Sequence, residues 1–396
     1  MSDKGVSGEP IQGKSATAGE GATAIPDESA IPEKSAIPEK SAIPGESAIR
    51  VQRSGRWRGG SLALGAAALV ALATLPWWDR DDIRLVAEMA TYLALAQLWN
   101  LLAGYAGLVS IGQQAYVGLG GYALFILCGP LGLHPVAAIF LAGLVTGVLS
   151  VPIAAVVFRL RGAQFAVGTW VVAEVCELMI AQSASLGAGS GQSLLPATVR
   201  QVAADRPTRD LIFYFGSVGI AILVLAFVYL LLRSRHGLAL TAIRDSERAS
   251  RSVGIDTFRT KLLTYVVVAC LTGVVGAVIF LQKLRISPPS GFSLQDWTVV
   301  VIFMVVIGGI GTIEGPILGL LIYFGLRQLL ADYGSWYLIA MGCVAVAFML
   351  RARDGLWGWV LARFDLQLFP LRRVFTRVPR SVTGGGAAPP SVDGSQ

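Results

Sequence analysis

Few residues in this sequence could do chemistry. Of 396 residues 14% are charged, and the two histidines are His134 and His236. Three carboxylates stand in or beside apolar runs: Glu174 and Glu177, one helical turn apart in AVGTWVVAEVCELMIA, and Glu314 in GGIGTIEGPILG. A carboxylate within a bilayer is costly, so Glu174 and Glu177 read as ion-coupling or proton-relay groups, with a buried hydrogen-bonded role as the plain alternative, whereas Glu314 falls at the cytoplasmic end of the membrane, where ionisation is tolerable. Ser110 with His134 is the pairing that hints at nucleophilic catalysis. The serine lies in GLVSIG rather than a nucleophile elbow, and Pro135 directly follows the histidine, so a hydrolase is disfavoured. The glycines of Gly308–Gly319 imitate a dinucleotide loop, yet neither a strand nor a ribose-binding acid frames them. Cys128, Cys176, Cys270 and Cys343 lie far apart in apolar runs without a CxxC or Cys/His cluster. No metal, cofactor or disulfide framework is expected.

What must position these residues is a set of membrane helices. Apolar types make up 54% of the chain and glycine contributes 46 residues, an excess that points to lipid rather than a soluble core. No charge occurs between Glu88 and Arg159, a run long enough at 1.5 Å per residue for about three crossings. In lipid such a run pairs its backbone amides only as helix. Spans are read at 61–77, 83–103, 107–128, 135–157, 163–182, 211–232, 262–282, 296–310, 315–331 and 335–350. With those spans, twenty Lys and Arg fall on one side and seven on the other, which places both termini in the cytoplasm. The net charge of +7 is thereby an orientation signal, and a nucleic-acid partner is unnecessary. The fold class expected is an all-α polytopic membrane protein of about ten (eight to ten) transmembrane helices, with broken or re-entrant glycine-rich segments. Residues 1–58 read as a disordered cytoplasmic tail, with prolines at 26, 32, 38 and 44 in a SAIPEK-like hexad repeat. Residues 59–351 form the transmembrane domain, and 352–396 a cytoplasmic, largely disordered tail.

Three segments are poorly suited to plain anchoring. NLLAGYAGLVSIGQQAYVGLGGY carries Asn100, Gly104, Gly107, Ser110, Gln113, Gln114 and Gly118. Two readings stay open: tight helix packing through small residues, or a broken segment lining a pathway. The second segment holds Gly308, Gly309, Gly311, Glu314, Gly315 and Pro316, and suits a sharp turn between half-spans with proline in the next first turn. The third is the loop 233–261, RSRHGLALTAIRDSERASRSVGIDTFRTK, where Ala239, Leu240, Ala242 and Ile243 offer an apolar face. Arg244 to Arg251 reads there as a short charged helix closing at Gly254.

Asn100–Tyr122, RLRGAQFAVGTWVVAE (159–174), Gly237–Gly276 and Ile286–Gly319, in this order, resemble the LivM-type permease subunits of branched-chain amino acid ABC importers. The resemblance spans roughly residues 61–351. It implies a transport subunit rather than an enzyme, without a nucleotide-binding motif of its own, in a bacterial inner membrane. It also implies two ABC ATPase subunits that hydrolyse ATP, a second LivH-type permease subunit and a periplasmic solute-binding protein. The loop would then be the coupling helix, with Arg244, Glu247, Ala249, Ser250 and Gly254 in an EAA-like pattern one residue longer than usual. GAGSGQSLL (187–195) lacks the family's Thr-Gly-Gly start, which leaves the cargo open between branched-chain amino acids and related solutes such as urea or amides. The alternative from another class is a stand-alone ion-coupled carrier or channel using Glu174, Glu177 or Glu314.

Overall fold

The computed structural model describes residues 48–53, 76, 83–203, 205–330, 355–364 and 373–378, with isolated positions between 339 and 350. The expected spans at 61–77 and 335–350 fall largely outside the described residues. In chain order the elements are β1 (Ala48–Arg53), α1 (Ile83–Asn100) running into a π-helical turn Leu101–Tyr105, α2 (Gln113–Cys128), α3 (Pro135–Val157) and α4 (Ala163–Ala181). After a two-residue strand β2 (Gln192–Ser193) come α5 (Pro196–Val202), α6 (Arg206–Arg233), α7 (Arg235–Asp245), α8 (Glu247–Ser252) and α9 (Thr257–Lys283). Then follow β3 (Arg285–Ile286), α10 (Pro288–Gly291), a π-turn Leu294–Val299, α11 (Val300–Gly308), α12 (Gly315–Leu329), α13 (Gly355–Phe364) and β4 (Arg373–Val378). β1 and β4 pair in a two-stranded sheet.

Among the described residues six helices are long and apolar enough to cross a membrane: 83–105, 135–157, 163–182, 206–233, 257–283 and 288–308. The protein is thus a multi-pass, mostly helical membrane protein. Two expected spans are shorter than read. The third begins at Gln113 rather than 107, because Ala106–Gly112 is unwound. The ninth, Gly315–Leu329, has 15 residues. The eighth starts earlier than expected, at Pro288 instead of 296.

Of these six spans α1 and α9 are the most buried, their apolar windows at 72% and 67%, and the shorter α2 is buried along nearly its whole length. α1 packs on α6, α9, α11 and α12, while α2 is held between α3 and α9. These contacts are backbone-close because glycine supplies them. A Cβ on Gly120 would overlap the Gly273 carbonyl, and one on Gly276 the Val117 carbonyl. With no hydrophobic drive between helices in lipid, such close van der Waals packing is what holds neighbours together. The packing reading is therefore right for Gly118, whose Cβ would sit 2.6 Å from Phe292, and for Gly120 and Gly121. The stretch before Gln113 is unwound over Ala106–Gly112.

Candidate functional site

The π-turn that ends α1 and the turn that joins α11 to α12 meet at one end of the bundle. Asn100 stitches them: its Nδ2 donates to the Thr312 carbonyl at 2.7 Å, and its Oδ1 accepts from the Gly311 amide at 2.8 Å. One turn earlier, Gln97 Nε2 donates to the Ile313 carbonyl at 2.6 Å. Both side chains are fully buried. The amides match the need, because Gly309 and Gly311 adopt φ of 129° and 80° and leave helical pairing, so their neighbours' backbone groups need outside partners. Gly104 faces the same junction: a Cβ there would lie 2.5 Å from Asn100 Oδ1 and 2.6 Å from the Gly311 nitrogen. Within the second turn, Thr312 Oγ1 donates to the Gly309 carbonyl and accepts from the Gly315 amide. Gly308 approaches so closely that its Cβ would overlap the Gly315 carbonyl, and Pro316 opens α12 in its first turn. Glu314 is buried just ahead of that turn.

The polar loop reaches this junction directly. Arg244, in the last turn of α7, donates Nη1 to the Gly104 carbonyl at 2.7 Å, and the same nitrogen lies 3.4 Å from where a Gly311 Cβ would stand. Gly107 (φ 70°) turns the chain away beneath Arg244, whose Cγ is 3.5 Å from its would-be Cβ. Leu240 and Ile243 anchor α7 as buried residues, as the apolar face predicts, whereas Ala239 and Ala242 are only half-buried.

The expected single helix over Arg244–Arg251 is instead interrupted at Ser246. Ser246 is extended (φ −159°), and its side chain caps α8 by accepting from the Ala249 amide at 3.3 Å. That cap, with Glu247 in the first turn, restarts the helix. Glu247 accepts from Arg251 Nη2 at 2.6 Å and from Lys261 Nζ at 2.8 Å, tying α8 to the start of α9. The hydrogen bond from Lys261, then the Lys261 charge and the Arg251 pairing, outweigh partial burial and hold its carboxyl below the ordinary carboxylate range. Ser250 is buried and its Oγ donates to the Ser246 carbonyl at 2.9 Å, Ala249 points to solvent, and Gly254 closes the loop at φ 86°.

The remaining expected residues fall elsewhere. Ser110 receives the Trp99 indole on its carbonyl at 2.8 Å, and its hydroxyl accepts from the Gly112 amide. His134 caps α3 beyond the far end of α2, a 16-residue helix about 24 Å long, so no Ser–His pair exists. Gln113 Nε2 donates to the Leu95 carbonyl at 3.0 Å, and Thr298 Oγ1 donates to Gln114 Oε1. Glu174 is exposed on α4, holding the Trp170 indole at 2.9 Å, and Glu177 is half-buried. Sequence reasoning missed Gln97 and Thr312. Gln97 was visible as the one amide inside YLALAQLW, three residues from Asn100 on one helix face.

Residues 83–352 match the family of branched-chain amino acid transport system permease components. The chain belongs to that family. It is 25% identical over 317 residues to the high-affinity branched-chain amino acid transport system permease protein LivM of Salmonella typhimurium, covering 74% of each chain. It is 29% identical over 145 residues to a probable branched-chain amino acid transport permease protein LivH of Methanocaldococcus jannaschii, covering 34% of this chain and 44% of the relative. It is also 25% identical over 312 residues to the autoinducer 2 import system permease protein LsrC of Escherichia coli, covering 74% and 82%. No solved structure matches. The matched range includes the whole α1–α7–α11 junction.

One expectation needs correcting at the level of spelling. Gly8–Ser15, GEPIQGKS, satisfies the bare G-x-x-x-x-G-K-S pattern of a phosphate-binding loop. It lies outside the described residues and outside the family match, with no apolar strand run before it and no apolar helix pattern after it, the context the motif requires.

Proposed function

We propose that this permease subunit works in an ATP-driven importer that moves branched-chain amino acids, or a related small polar solute, into the cytoplasm across a bacterial inner membrane. In this reading both termini are cytoplasmic, about ten helices span the bilayer, and two ABC ATPases bind beneath α7 and α8. A LivH-type permease is the sister subunit, and a periplasmic solute-binding protein delivers cargo. The observation that carries the reading is the Arg244–Gly104 bond at 2.7 Å. It joins the loop available to an ATPase to the point where α1 breaks, and Asn100 passes the connection on to the turn before α12. Movement of α7 and α8 would therefore be transmitted to two broken spans through these contacts. Glu247 keeps α8 moving with α9 through Lys261. A stand-alone ion-coupled carrier gains little from this geometry, since Glu314 sits at the junction while Glu174 and Glu177 lie on α4.

The test uses the full transporter in proteoliposomes, comparing Arg244→Ala with the parent. A hydrogen bond from a charged donor is worth roughly 1.5–3 kcal/mol. Uptake per ATP hydrolysed should fall about 10- to 100-fold while ATP hydrolysis persists. Replacing Glu247 and Gly254 should likewise uncouple hydrolysis from uptake while membrane insertion survives. Unchanged coupling in these variants would defeat the assignment.

A further inference from the structure

We infer that the outward face of α4 is the seam against which the sister permease subunit packs, with Glu174 lying in that seam. The inference rests on the importer reading above and adds where the second permease sits.

Among the described residues span 163–182 is only 22% buried, less than the other five spans, so the described helices leave its outward face open. The chemistry of that face separates it from the other exposed helices. On α3 the outward residues are Phe140, Leu144 and Val148, and on α6 Phe215, Leu223 and Leu230, all apolar and suited to lipid tails. The outward face of α4 places Gln164, Trp170 and Glu174 among Val167, Val171 and Leu178. Glu174 lies eight residues before the end of the span, about 12 Å along the helix from it. A carboxylate that deep costs about 2.5–3.5 kcal/mol against lipid even on the mildest scale. The Trp170 indole satisfies one acceptor position, and a carboxylate offers about four. Protein donors or interfacial water are what such a face calls for. Toward the N-terminal end of the helix, Leu160, Ala163, Gln164, Val167 and Gly168 line a shallow hollow able to receive a partner's side chain.

The occupant follows from kinship. The chain is similar to both LivM and LivH permeases, so the two kinds of subunit are homologous to each other through it. Homologous subunits that pair closely do so about a pseudo-two-fold axis, which brings corresponding faces together. The α4 face would therefore meet the sister's equivalent helix, and the acidic groups would lie in a hydrated seam between two subunits rather than in lipid.

The experiment places single nitroxide labels on the full transporter, in a chain whose four cysteines are replaced by alanine. Val171→Cys and Leu178→Cys report α4, and Leu144→Cys and Leu223→Cys report the lipid faces of α3 and α6. Collision with molecular oxygen, which partitions into lipid, is measured with the sister subunit present and absent. The α4 labels should be at least threefold less accessible than the α3 and α6 labels in the assembled transporter, and should lose that protection in the chain alone. Should one label block assembly, Val175→Cys reads the same face. Equal accessibility at α4 and α3 in the assembled transporter overturns the inference. Protection that persists without the sister subunit assigns the face to a second copy of this chain and also overturns it. Failure of any sister permease to co-purify refutes the importer reading itself, an outcome separate from the other two.

Discussion

Replacing Gly104 with alanine introduces one carbon atom where the junction has least room for it. That carbon would lie 2.5 Å from Asn100 Oδ1, 2.6 Å from the Gly311 nitrogen and 2.8 Å from the Gly311 Cα. Two of the three obstacles are backbone atoms, and Gly311 is held at φ 80°, so the neighbour has little freedom to retreat. Relief must come from separating the end of α1 from the α11–α12 turn, which breaks the Gly311–Asn100 hydrogen bond. Overpacking of this kind costs about 1–3 kcal/mol, and the lost bond adds about 1 kcal/mol. At 1.4 kcal/mol per tenfold, a total of roughly 2–4 kcal/mol displaces the junction equilibrium about 30- to 700-fold away from the hydrogen-bonded arrangement described above. The assay is solute uptake and ATP hydrolysis by the reconstituted transporter, with Gly216→Ala as the matched control. Nothing lies within 4 Å of a Cβ on Gly216, and alanine there favours the helix. Gly104→Ala should insert normally, hydrolyse ATP and transport at a small fraction of the control. If it transports as Gly216→Ala does, the junction is not the element that moves.

Three further outcomes follow from the same geometry. Asn100→Asp keeps an acceptor for Gly311 but sets a carboxylate oxygen against the Thr312 carbonyl, so it should impair uptake at least as much as Asn100→Ala; equal activity of Asn100→Asp and the parent would refute the stitch. Gly120→Val forces a branched side chain into the Gly273 carbonyl and should prevent stable accumulation in membranes, whereas Gly219→Ala, in open space, should be neutral on immunoblots. Glu247 is held below its ordinary value of 4.5 by Lys261 and Arg251, so its stabilisation of the loop is complete above that value and fades as pH falls through the lowered one. Because the side chain is 42% exposed, the contribution is screened to under about 1 kcal/mol. Hydrogen exchange of the loop should therefore be at most about fivefold faster in Glu247→Gln at neutral pH, with the difference vanishing in acid.

Span 135–157 was legible to the residue because its ends are written locally: Pro135 starts it after a capping histidine, and charge returns at Arg159. The start of α2 was not legible, since Ala106–Gly112 is as apolar as the helix that follows. What unwinds it is distant, a Thr169 hydroxyl accepting from the Ile111 amide and the Thr169 backbone crowding Gly112. The interruption at Ser246 could have been read from a serine followed by glutamate, a helix-start signature overlooked because charges on both sides suggested one continuous helix. Pro288-Pro289-Ser290-Gly291 reads as loop, yet a reciprocal Ser287–Ser290 cap starts the eighth span there. For the candidate site, the glycine runs and the loop identified the participants separately. Their meeting was hidden, because Arg244 and Gly104 are 140 residues apart and neither carries a local sign of the other.

The buried amides Gln97 and Asn100 have a consequence for how the protein is made. Their partners at Gly311, Thr312 and Ile313 emerge from the ribosome more than 200 residues later. At about 5–20 residues per second, that is a wait of roughly 10–40 s during which α1 carries unsatisfied amides. The helix at the heart of the bundle therefore has to be sheltered, by the insertion machinery or by water, until almost the whole matched region exists. A chain cut short before residue 311 leaves those amides without partners, which marks it for quality control.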